Sequence, residues 1–213
     1  MITVYVWMPG KTHETRSNHL IPGHVAMQVG QEYCSFWPTR DKKNGKENLG
    51  IIRPSPADFS NNSYAQDFEG MEYEADDEVD INGLDEQSMI RGWNLIKQQS
   101  TNYQLDRVNC CTVSANLLKV GLTNTELGRQ LMAQNGNPVL KGEISSASID
   151  RSDALAVTPT RILCIAYLIE NIVEGRNYTE RQIMDMVKQK HLDAHPAQRD
   201  LGVLGAWFKG LLG

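Results

Sequence analysis

The chain has 213 residues, 40% of them hydrophobic and 22% charged, which excludes the disordered and fibrous classes and is enough for one substantial core. A formal net charge of -5 excludes the basic footprint that nucleic acid or an anionic membrane surface rewards. Four cysteines, two of them adjacent, make a poor disulfide framework and fit free thiols in a reducing compartment.

Residues 2–8 combine β-branched and aromatic side chains and stop at Pro9-Gly10, which predicts a strand and a turn. The segment lacks the basic start and small-residue cleavage site of a signal peptide, and no apolar run in the chain approaches the roughly 18 residues that span a bilayer. A protein soluble and cytoplasmic as synthesised is therefore expected. His24 to Val29 predicts one strand of a hairpin, Gly30-Gln31-Glu32 its turn, and Tyr33 to Trp37 its partner.

Residues 39–70 carry Asn44-Gly45, Pro54, Pro56 and Asn61-Asn62-Ser63 and predict a long surface loop, with an acidic strand returning from Met71 to Ile81. Asn82-Gly83 supplies a turn, and Asp85 caps a helix with Met89, Trp93 and Ile96 on one face. A second helix starts at about Asn109, with Val113, Leu117 and Val120 as its apolar stripe and Gly121 as its C-terminal cap. Residues 122–157 are polar, broken at Asn137-Pro138, and predict no organised element. Thr158-Pro159 opens a helix carrying Ile162, Ile165 and Ile169, and Thr179 with Gln182 forms a capping box for another through about Lys190. The apolar, glycine-spaced residues 201–213 predict a short docking helix. The organisation expected is a domain over residues 1–157 with a helical extension over 158–213 packed on it.

Two features carry chemistry. Cys110 falls in the first turn of the helix at Asn109, where unpaired N–H groups and the helix dipole stabilise a thiolate and can also bind an oxyanion. Cys110 is preferred over Cys111 because Val113 and Leu117 place the core stripe behind it, though the residues allow the reverse assignment. His24, at the start of an apolar strand, is the rigidly held base that such a thiol needs. The rivals are weaker. His191 and His195 have the spacing of a zinc helix without its Glu, and Glu78, Asp80, Asn82 and Gly83 open a calcium-like loop that ends on Met89 where a bidentate Glu is needed. Neither a metal nor another cofactor is expected.

The strand Gly23-His24-Val25-Ala26-Met27-Gln28-Val29-Gly30, the segment Tyr33-Cys34-Ser35-Phe36-Trp37-Pro38 and the later Asn109-Cys110-Cys111-Thr112 resemble the circularly permuted papain-like group, over about residues 20–121. That group includes the permuted NlpC/P60 hydrolases and the lecithin:retinol acyltransferase-like proteins. The resemblance implies an α+β, papain-like fold in permuted order, with a small antiparallel sheet packed on the nucleophile helix and extra C-terminal helices. It also implies a Cys-His pair that cleaves or transfers acyl groups. Members orient the histidine with a polar residue on the next strand, a place that falls to Ser35, with Gln28 in reserve. Gln104, shortly before the cysteine, and Cys111 are the candidates for oxyanion or substrate binding. Substrates by resemblance are peptide, protein or peptidoglycan. An exported bacterial effector, with a secretion machine or an immunity protein as partner, fits the habit of the group. Two other readings are a lipid acyltransferase or thioesterase whose residues 201–208 touch a membrane, and a non-catalytic binding module, which the lack of an obvious orienting residue favours.

Overall fold

The computed structural model describes residues 1–8, 10–11, 20–21, 23–39, 54–99, 102–132 and 157–194. At its centre is strand β1, Ile2–Trp7. Its alternation sends Ile2, Val4 and Val6 into the main core and Tyr5 and Trp7 to the opposite face of the sheet. Short strands β2, Gly10–Lys11, and β3, Leu20–Ile21, pair with each other.

Strands β4, His24–Val29, and β5, Glu32–Ser35, form the predicted hairpin. Gly30 supplies the positive φ, 58°, that its first turn residue requires. The Gln28 side chain donates to the carbonyls of Gly30 and Glu32 at 2.8 and 3.2 Å. Gln28 therefore clamps the turn at the far end of the strand from His24, which removes it as a candidate for orienting that ring.

Part of the region read as a long loop forms regular elements. Strand β6, Trp37–Pro38, pairs with β7, Ser55–Asp58, and helix α1 covers Tyr64–Met71. Helix α1 escapes the periodicity argument because it packs through Tyr64, Met71 and a buried Asp67, not through an apolar stripe. Glu72, at φ 65°, ends it. The returning strand β8 is consequently shorter than expected, Asp77–Ile81, and pairs with β1 at the sheet edge, giving the antiparallel order β5-β4-β1-β8.

Helix α2, Glu86–Gln98, is capped by the Asp85 carboxylate accepting from the Ser88 N–H, as expected. Strand β9, Asn102–Tyr103, joins β7. Helix α3, Cys110–Thr123, runs past Gly121 to an Asn124 cap. Gly121 is a contact glycine instead: a Cβ there would lie 2.5 Å from Met89 Sδ, and its carbonyl accepts from the Asp85 N–H at 2.9 Å. Helix α4, Glu126–Met132, lies in the stretch for which no element was expected. Helix α5, Pro159–Val173, begins with the predicted Thr158-Pro159 pair and packs on β8 and β1. Helix α6, Glu180–Ala194, starts at reciprocal bonds between Thr179 and Gln182. Lys190 ties it to the sheet edge, 2.7 Å from Asp77 Oδ2. The chain is α+β, with a small antiparallel sheet against helices. Among the described residues no helix is long and apolar enough to cross a membrane. His195, the break at Asn137-Pro138 and the docking helix over 201–213 lie outside the described residues.

Candidate active site

Helix α3 begins where local chemistry requires it to. Asn109 is extended, at φ -122° and ψ 178°. Its side-chain oxygen accepts from the Thr112 N–H at 2.9 Å, while the Thr112 hydroxyl oxygen accepts from the Asn109 N–H at 2.8 Å. Two of the helix mouth's donors are thereby satisfied reciprocally. The Asn109 amide also donates to the Leu105 and Val157 carbonyls at 2.7 and 3.3 Å, which ties the helix start to the loop before it and to the entrance of α5. Cys110 is thus the first helical residue, in the field of the helix N-terminus.

His24 lies on the last rung of the β1–β4 ladder, opposite Trp7. Its ring is 1% exposed and stacks on Trp37, with centroids 4.1 Å apart and planes inclined by 24°. The β4–β5 pairing ends at Ala26 opposite Ser35. Beside that end of the ladder lies the Cys110 sulfur, whose proton affinity both the Val25 backbone and the His24 ring lower. The sulfur therefore sits at the end of the sheet where the two strands part. His24 Nε2 lies 3.1 Å from Ser35 Oγ and 3.3 Å from Asp67 Oδ2.

Asp67 completes a Cys-His-Asp series. It is fully buried and accepts from Ser35 Oγ at 2.9 Å, Tyr33 OH at 2.8 Å, Trp37 Nε1 at 2.7 Å and Asn61 Nδ2 at 2.7 Å. A carboxylate taken out of water is tolerable only when its lone pairs are filled and a cation is close, and both conditions hold here. Trp37 serves twice, its indole N–H on the carboxylate and its ring face on the imidazole.

The electrostatics follow from these contacts. The Cys111 thiol, 3.9 Å from the Cys110 sulfur, and the charge and hydrogen bond of His24 hold the Cys110 thiol well below its ordinary value, against burial. Burial works to lower His24, but the Cys110 charge and the bond with Asp67 outweigh it and raise the imidazole to about 9. Burial likewise opposes ionisation of Asp67, yet the bond and charge of His24, with Asn61 and Ser35, keep its carboxyl well below the usual carboxylate range. Cys34 makes the contrast: burial, helped by the Glu32 charge and opposed by Lys97, pushes it up to about 12. Cys110 is thus held below its ordinary value and His24 above its own, the two directions that favour a proton on nitrogen and an anionic sulfur. A thiolate beside an imidazolium, with a carboxylate behind it, can attack an electrophilic carbon and protonate the group that leaves.

The structure brings together Cys110, Cys111, His24 and Ser35. Gln104 is held in a tight turn, where its N–H donates to the Val108 carbonyl at 2.8 Å and its carbonyl accepts from the Arg107 N–H at 3.0 Å. Asp67 escaped the sequence reading because it lies far along the chain from both partners, in a segment read as loop. The Tyr64/Phe68 spacing could have suggested a helical turn there, but no local pattern points the carboxylate inward. Ser35, expected to orient the histidine, does touch it, but as an intermediary between the ring and Asp67. The calcium-like reading loses its loop geometry. Glu78 and Asp80 belong to β8, with Asp80 accepting from Thr3 Oγ1 at 2.7 Å, and no cluster of three or more metal-ligating side chains occurs among the described residues. Comparison of the chain with protein-family models, with curated proteins and with solved structures returned no match.

Proposed function

We propose that this chain is a cysteine hydrolase acting on an amide or ester carbonyl through an acyl-enzyme, with Cys110 as nucleophile, His24 as acid and base, and Asp67 as the group that orients and charges His24. The permuted papain-like group remains the fold family we assign to it. The observation that carries the reading is a helix-mouth thiol beside a buried imidazole that a fully bonded carboxylate backs, contacts that hold the thiol low and the imidazole high.

The site starts as an ion pair, so the first duty of His24 is as an acid. The Cys110 thiolate attacks the carbonyl carbon, and the oxygen gains the negative charge near the N–H groups at the start of α3. Collapse expels the amine or alkoxide, which takes the proton from the imidazolium and leaves a thioester. The now neutral imidazole removes a proton from water as it attacks the thioester. The acid product departs, and the proton returns His24 to the imidazolium beside a free thiolate. Asp67 stays ionised throughout and keeps the ring in register.

The rival reading is a non-catalytic module. That reading drew its support from the missing orienting group, and Asp67 supplies one from α1. Iodoacetamide at neutral pH is expected to alkylate Cys110 ahead of Cys34, Cys111 and Cys164. Cys110→Ala is expected to abolish turnover of a thioester or amide reporter. Preferential alkylation elsewhere, together with full turnover in the variant, would end the proposal.

A further inference from the structure

Cys110 and Cys111 occupy the first two positions of α3 and are not joined in a disulfide. Consecutive helical residues are about 100° apart around the axis and ordinarily do not face each other. Here the two sulfurs lie 3.9 Å apart, both buried at the edge of the main core. Cys111 is no second nucleophile: burial and the neighbouring charge hold its thiol well above the ordinary value, so it keeps its proton. A protonated thiol is a donor, weak toward neutral oxygen and stronger toward an anion.

From this placement we infer that Cys111 is a positioning residue whose S–H donates to the Cys110 sulfur, keeping it anionic and aimed between the His24 ring and the Val25 N–H. This deepens the reading of Cys110 as nucleophile and rests on it. It replaces the expected role of Cys111 in oxyanion or substrate binding. The Cys110 sulfur is then favoured as an anion from three sides, by Cys111, His24 and the Val25 backbone. One of the three costs the fold nothing beyond a core-sized side chain that the start of α3 buries in any case.

The test is the pH profile of Cys110 alkylation by iodoacetamide in the full chain, followed by peptide mapping, for the wild type, Cys111→Ala and Cys111→Ser. The expected result for Cys111→Ala is a midpoint raised by about one pH unit, so that about tenfold less thiolate is present below both midpoints. Cys111→Ser keeps a donor and is expected to recover at least half of that shift. A Cys111→Ala midpoint equal to the wild type, or a serine variant displaced as far as the alanine one, overturns the inference while leaving Cys110 as nucleophile. A wild type with no depressed midpoint at Cys110 overturns the nucleophile reading itself. Should Cys111→Ala fail to fold, the infrared S–H stretch decides in the wild-type protein. The Cys111 band is expected at lower frequency before Cys110 is capped by iodoacetamide than after, and an unmoved band refutes the donor role.

Discussion

Asp67→Asn is the substitution that most directly tests the physical argument. The two oxygens of Asp67 receive five contacts, from Ser35, Trp37 and Asn61 on Oδ1 and from Tyr33 and His24 on Oδ2. An amide of the same shape can accept through only one of those atoms. With its oxygen toward the three Oδ1 donors, its NH2 group confronts the Tyr33 hydroxyl and the His24 ring, two donors left without an acceptor. Each buried orphan costs about 1–3 kcal/mol, and breaking a buried ion pair by removing one partner costs about 3–5 kcal/mol. These overlap, so a loss of about 3–5 kcal/mol is expected, a large share of the stability of a domain this size. Urea unfolding at pH 6 measures it as a lower midpoint with unchanged slope.

The pH dependence of that loss carries a sign. Asp67 has a depressed native value, so its contribution is present above the unfolded carboxyl value of about 4 and fades as pH falls below it. His24 has a raised native value, so its contribution is full below about 6.5 and fades as pH rises toward about 9. The gap between wild type and variant is thus widest between about pH 4 and 6.5 and narrows on both sides. Turnover is expected to fall roughly 10²- to 10⁴-fold, the usual worth of a correctly held acid-base group. A variant within 1 kcal/mol of the wild type, with an unmoved alkylation profile, would refute the claim that this carboxylate charges the imidazole.

The rate kcat/KM is expected to be bell-shaped in pH: its acid limb follows protonation of the Cys110 thiolate and its base limb falls near pH 9, where His24 loses the proton it must donate. A base limb at the ordinary imidazole value would contradict the ion pair. Trp37→Phe keeps a ring over His24 but loses the indole N–H on Asp67, and is expected to lose less stability than Trp37→Ala, which also forfeits a stack worth about 0.5–1.5 kcal/mol. Equal losses in thermal melts of the two variants would remove the stacking argument. Asn109→Ala deletes the cap of α3 and is expected to cost about 1 kcal/mol in denaturant unfolding and to slow Cys110 alkylation, since the helix mouth then frays around the nucleophile. Unchanged alkylation would show that the helix start does not hold the sulfur.

What the linear chain determined is everything set by neighbours within a turn or a hairpin. Asn109 three residues before Thr112, Thr158 before Pro159 and Gly30 between two apolar strands are local contracts between side chain and backbone, legible because both parties are close in the chain. The start of α3 and the strand of His24 were readable for that reason, and with them the proposed nucleophile and base. What only the tertiary structure decided is whatever depends on residues brought from afar. Asp67 becomes the third member of the series because α1 crosses the aromatic face of the sheet, a packing fact that no periodicity encodes. Gly121 is small because Met89 of α2 lies against it, and Gln28 is a turn clamp because its strand ends where it does. The reactivity of the site belongs to the same class. A thiol and an imidazole shift toward their charged forms only beside groups that stabilise those forms against burial, and that environment exists nowhere until the sheet, α1 and α3 have met.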